Sequence, residues 1–62
     1  MFDLLKLGQD CQKWRKENNI KQSDMANYCG VSRETISAFE NGRTKNVEIL
    51  GAYLDKGFKY GT

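Results

Sequence analysis

The chain has 62 residues, a formal net charge of +2 at pH 7, 39% apolar and 29% charged residues. A chain of that length forms one small domain, and its ordinary balance of apolar and charged groups excludes intrinsic disorder. With two cysteines and no histidine, it lacks the ligands for a zinc site and the commonest side chain for general-base chemistry.

The absence of proline and the scarcity of β-branched runs predict an all-α fold. The first helix is expected over about Asp3 to Asn18, with Leu4, Leu7, Cys11 and Trp14 along one face. Asn18-Asn19 breaks it, and Ile20 drops back into the core. The second helix runs from about Gln22 to Cys29, and Gly30 ends it in the left-handed region. Ser32 is the N-cap of the third, whose inward positions are Ile36 and Phe39 and which Asn41-Gly42 stops. Asn46 caps a fourth helix, about 47–56, with Val47, Leu50, Tyr53 and Leu54 as its apolar stripe and Gly57 as its stop. Gly51 costs that helix about 1 kcal/mol relative to alanine. It either admits another helix closely or packs against the first. Cys11 and Cys29 are both expected to face the core as small hydrophobes.

Residues 22–41 read QSDMANYCGVSRETISAFEN. Counted from Gln22, the small Ala26 falls at place five and Gly30 at place nine, with Met25, Cys29, Val31, Ile36 and Phe39 at apolar places between and beyond. Two short helices that cross steeply need that order. The small side chain lets the axes approach, the glycine turns the chain, and the apolar residues face inward. This is the pattern of a helix-turn-helix, which sets its second helix in the major groove of DNA.

On Arg15, Gln22, Ala26, Gly30-Val31-Ser32, Ile36 and the string Phe39-Glu40-Asn41-Gly42-Arg43, the chain resembles the phage repressor and Cro family, the XRE-type regulators built on a lambda-repressor-like domain. The likeness runs from Leu7-Gly8 to Leu54. It implies a compact four- to five-helix all-α DNA-binding domain filling residues 1–62. It also implies a bidentate, partly buried pair between Arg15 and Glu40 that locks the first helix onto the recognition helix.

If Ile36 and Phe39 face inward, then Arg33, Glu34, Ser37 and Ala38 line the outer and N-terminal side of the third helix. The resemblance gives that side to base edges. Arg33 matches guanine O6 and N7, and Glu34 either accepts from cytosine N4 or orients Arg33. Ala38 packs on a thymine methyl, while Ser32 and Ser37 reach a base or a phosphate. Arginine at a helix N-terminus opposes the macrodipole, which suggests a use outside the fold. For phosphates the resemblance offers Gln22 at the start of the second helix, a backbone amide at Asn41, and the basic loop residues Arg43 and Lys45, while Lys21, a departure from the usual cap, adds a positive charge facing them. Lys21 stands where serine or threonine usually caps. Lys13, Lys16 and Lys56 are read as solubilising charges.

The expected function is sequence-specific transcriptional regulation, as a repressor of phage or mobile-element type bound to double-stranded DNA at a pseudo-palindromic operator. One recognition helix covers few base pairs, so a homodimer is expected, at least on DNA. Helix four and the tail, with Tyr53, Phe58 and Tyr60, supply either its interface or a lid on the core. No enzymatic activity, metal, cofactor or small-molecule ligand is expected. The N-terminus, MFDLLKLGQD, is too short and acidic for a signal peptide, and no apolar run spans a bilayer, so the expected location is the cytoplasm. Two other classes remain open: a helix-turn-helix protein-interaction module of antitoxin-like or bridging kind, and a redox sensor through Cys11 and Cys29.

Overall fold

The structure, a computed structural model, describes residues 3–59. Four helices follow one another, α1 (Leu4–Glu17), α2 (Gln22–Cys29), α3 (Arg33–Glu40) and α4 (Val47–Lys56), with no strand among the described residues. The all-α expectation holds.

Each boundary has a local cause. The Asp3 carboxylate accepts from the Lys6 amide at 3.1 Å and starts α1. Asn19 adopts φ 57°, a left-handed turn that asparagine tolerates better than most residues, and the Ile20 amide then donates back to the Arg15 carbonyl at 3.0 Å. Lys21 has no acceptor to offer the first turn of α2 and makes no side-chain cap. Asp24 accepts from the Lys21 backbone amide at 3.2 Å, which supplies half of a capping box. Gly30, at φ 73° and ψ 31°, makes the left-handed turn between α2 and α3. A side chain there would strain the backbone, though nothing crowds the site. Ser32 caps α3 by accepting from the Thr35 amide at 3.2 Å, and Asn46 caps α4 by accepting from Glu48 and Ile49.

Leu7, Cys11, Met25, Ala26, Ile36, Phe39, Ile49, Tyr53 and Phe58 form the core. Ala26 is buried at 4% exposure, and its carbonyl accepts from the Val31 amide beyond the turn, while Gly8 marks the close approach of α1 to the end of α3. A Cβ on Gly8 would sit 2.5 Å from the Phe39 carbonyl oxygen and 2.7 Å from that of Glu40. Trp14, Phe39, Tyr53 and Phe58 make an aromatic cluster, with Phe39 stacked on Tyr53 at 5.8 Å between centroids and Trp14 edge-on to Tyr53 at 5.9 Å.

Two expectations need correction, and a choice left open is decided. The buried stripe of α4 is turned from the one expected: Ile49 and Tyr53 are buried, Leu50 and Ala52 partly so, while Val47 is 69% and Leu54 45% exposed. The alternation of apolar residues along α4 permitted either rotation, and the need to bury the Tyr53 ring and Ile49 together selected this one. Gly51 is exposed with nothing within 4 Å of its virtual Cβ, so it neither admits a helix nor packs on α1. Tyr53 and Phe58 are buried at 0% and 6% exposure, so Phe58 closes the core rather than presenting an interface; Tyr60 lies outside the described residues.

Candidate nucleic-acid interface

Burying Ile36, Phe39 and Glu40 fixes the rotation of α3. Arg33 and Glu34 are then exposed in its first turn, with Ser37 and Ala38 half-buried. Ser32 carries its hydroxyl against Thr35, 2.8 Å from Oγ1, in the cap of the same helix. At the edge of this surface lies an open hollow of about 450 Å³ between α1 and the starts of α2 and α3. Lys16, Lys21, Ser23 and Arg33 line it together with Gln12, Arg15 and Gln22. No carboxylate is among those lining residues, so the hollow gathers positive charge that the small net charge conceals.

The floor of the hollow is held by a buried network around Glu40, the last residue of α3. Arg15 Nε donates to Glu40 Oε2 at 2.7 Å and Nη2 to Oε1 at 3.2 Å, while Nη1 reaches the Ile20 carbonyl at 2.8 Å. Gln22 Nε2 donates to Oε1 at 3.1 Å, and the Tyr53 hydroxyl donates to Oε2. One carboxylate therefore receives donors from α1, α2 and α4 at the end of α3, and among the described residues no buried side-chain nitrogen or oxygen is left without a partner. Arg15 is 5% and Glu40 1% exposed, a deeper burial than the partly buried pair expected from sequence. Burial alone would push the Glu40 carboxyl up, but the donors Arg15, Tyr53 and Gln22 outweigh it and hold it below the usual carboxylate range. Burial also works against the Arg15 charge, and the bonds to Glu40 prevail there too, keeping the guanidinium ionised. Burial and the neighbouring carboxylate together push the Tyr53 phenol up, so its hydroxyl remains a donor.

The loop residues Arg43 and Lys45 are exposed beside the C-terminal end of α3, away from the hollow's lining. Asn41 does not offer the free amide expected of it. Its backbone N–H donates to the Ser37 carbonyl at 3.0 Å, and its side-chain amide donates to the same carbonyl at 2.8 Å and to Ser37 Oγ at 3.3 Å. Capping α3 takes these donors, since the helix end needs them more than solvent does. Gln22 is half-buried and turned toward Glu40, which leaves one of its two amide hydrogens for an outside acceptor.

Lys16, read from sequence as a solubilising charge, belongs to this surface, as do Gln12 and Ser23. The signal was present: once Arg15 is placed against Glu40, residues three before and one after it flank the same side of α1. Tyr53 was assigned to the core stripe without a partner, although a buried phenol needs one. The cysteines form no disulfide. Burial, with the Glu40 and Asp10 charges adding to it, pushes the Cys11 thiol up to about 12, and burial also raises that of half-buried Cys29. Among the described residues no helix is long and apolar enough to cross a membrane, and no group of three potential ligands could hold a metal ion.

Two short helices joined by a glycine turn, with the second exposing a polar first turn over a cationic hollow, define a helix-turn-helix domain. The chain belongs to the Cro/C1-type helix-turn-helix family, whose model, described as "Helix-turn-helix", matches residues 12–56. It is 46% identical over 43 residues to the "ImmF control region 10 kDa protein" of Bacillus phage phi105, covering 69% of this chain and 48% of that protein. It is 43% identical over 49 residues to an uncharacterized HTH-type transcriptional regulator of Methanocaldococcus jannaschii, covering 76% of this chain and 20% of the relative. A further HTH-type regulator, from Archaeoglobus fulgidus, is 45% identical over 38 residues, 61% of this chain and 17% of its own length. The chain thus spans half or less of the curated relatives it matches. No solved structure matches it.

Proposed function

We propose that this chain is a sequence-specific DNA-binding transcriptional regulator, a repressor that occupies a pseudo-palindromic operator as a homodimer and excludes polymerase from it. The observation that carries the reading is the placement of Arg33, exposed on the first turn of α3 beside Glu34 and lining a hollow with Lys16, Lys21 and Gln22. Family membership and the relatives' names, a phage control-region protein and HTH-type transcriptional regulators, support it. On this reading the protein works in the cytoplasm.

Base readout belongs to Arg33, with Glu34, Ser37 and Ala38 beside it and Ser32 at the cap. Arg33 pairs with guanine O6 and N7, and Glu34 accepts from cytosine N4 or steadies Arg33. Phosphates fall to Lys21 and Gln22 at the start of α2, where unpaired amides favour an anion, and to Arg43 and Lys45 in the loop after α3. Lys16 extends the first of these clusters. Self-association uses the apolar side chains that α4 leaves exposed, Val47 and Leu54.

The test compares Arg33→Ala and Lys45→Ala on a selected duplex and on a random duplex across a salt series. Arg33→Ala should lose preference at one base position, at a cost of about 1–3 kcal/mol. Lys45→Ala should weaken both duplexes alike and reduce the salt slope by about one. Equal losses from both substitutions on both duplexes would refute the division between base and backbone contacts.

A further inference from the structure

The four donors to Glu40 are not equivalent, and their arrangement bears on how the surface of α2 is presented. Arg15 spans both oxygens as a planar fork. That fork leaves each oxygen able to accept one further donor. The remaining two donors arrive on opposite oxygens, Tyr53 on Oε2 and Gln22 on Oε1. The Tyr53 ring is held in place, fully buried between Phe39, Trp14 and Phe58. Its hydroxyl therefore has one place, and Oε2 is drawn to it. Oε1 is thereby aimed at Gln22.

Gln22 is half-buried, reaches inward to Glu40 and lines the cationic hollow beside Lys21 and Arg33. A primary amide has two hydrogens in one plane, so fixing one direction fixes the other. Resting on the DNA-binding reading above, we propose that Tyr53 is a positioning residue of the DNA interface. Acting through Glu40, it holds the Gln22 amide so that its second hydrogen points at a backbone phosphate. Tyr53 lies in the core and touches no DNA itself. What it contributes is the removal of a rotational freedom that Gln22 would otherwise lose on binding.

The experiment is a double-mutant cycle on the full chain with Tyr53→Phe and Gln22→Ala. Binding is measured to a duplex recovered by selection from a random pool and to a random duplex of the same length. The temperature is one at which circular dichroism shows every variant folded. Tyr53→Phe keeps the ring and should weaken both duplexes by the same factor, roughly three- to tenfold, the worth of one hydrogen bond. In the Gln22→Ala background it should change nothing further. A merely structural tyrosine would lower the melting temperature and leave affinity unchanged at that temperature; unchanged affinity, or additive losses, overturns the proposal. Should Tyr53→Phe not fold, the wild-type Gln22 side-chain amide is followed by NMR as random duplex is added. The hydrogen held by Glu40 should keep its resonance while the other moves, and movement of both overturns the positioning. Wild-type protein that binds neither duplex at low salt would sink the DNA reading itself, an outcome distinct from a Tyr53→Phe variant that binds as well as wild type.

Discussion

Glu40→Gln changes one oxygen to an amide group and leaves the shape of the side chain almost intact. Its consequences follow from the four donors that converge on the carboxylate. An amide keeps one acceptor oxygen, so either Arg15 Nε with the Tyr53 hydroxyl, or Arg15 Nη2 with Gln22 Nε2, comes to face another donor. Arg15, 5% exposed, is left as a buried charge without its counter-ion. Breaking one side of a buried pair in this way costs about 3–5 kcal/mol. At roughly 0.05–0.15 kcal/mol per residue, a chain of 62 residues is stable by about 3–9 kcal/mol. The substitution therefore removes a third or more of that, and thermal unfolding followed by far-ultraviolet circular dichroism should show it directly. With about 4–8 °C per kcal/mol in a domain of this size, the midpoint should fall by at least roughly 12 °C. Replacing both partners, Arg15→Met with Glu40→Met, strands neither charge and should cost less than the sum of the single losses. A Glu40→Gln midpoint within about 4 °C of wild type, equivalent to at most about 1 kcal/mol, would refute the stranded-charge argument.

The same network sets an acid limit. Glu40 titrates below its ordinary value of 4.5 in the folded chain, so its contribution is complete above that pH and is lost as the pH falls through the folded value. Urea midpoints should decline below about pH 4.5, and Glu40→Gln should flatten that decline; parallel curves for the two proteins would count against it. Gly8→Ala places a methyl against the Phe39 and Glu40 carbonyls and should destabilise by about 1–3 kcal/mol in chemical denaturation, because backbone cannot move aside as a flexible side chain would. In native protein a thiol reagent should modify half-buried Cys29 well before Cys11, which is fully buried with its thiol raised to about 12; mass spectrometry of early time points gives the order, and reversal would deny the burial of Cys11.

The elements of this fold were legible because their ends are written in local chemistry. Asp3, Ser32 and Asn46 supply caps, and Gly30 and Gly57 supply positive φ, so the bounds of α2 and α4 follow from single residues. What the sequence left ambiguous was rotation. Along α4 the set Val47, Leu50, Tyr53 and Leu54 and the set Ile49, Ala52 and Tyr53 both repeat at helical spacing, and only packing against α2, with Tyr53 meeting Trp14 of α1 and Phe39 of α3, chooses between them. The interface was legible in kind from Ile36 and Phe39, which fix the face of α3. Its extent was legible only indirectly, through the pairing of Arg15 with Glu40, which turns Gln12 and Lys16 of α1 toward Lys21 and Arg33. Asn41, expected to present its backbone amide, instead donates it to the Ser37 carbonyl where the residue closes α3.

Everything proposed about function depends on the outer face of α3 meeting the edges of bases. Selection of bound duplexes from a random oligonucleotide pool with the wild-type chain tests that meeting most directly. Recovered sequences should share a short motif containing a guanine for Arg33, repeated in inverted orientation about one helical turn away. A recovered pool as diverse as the one supplied would contradict the account.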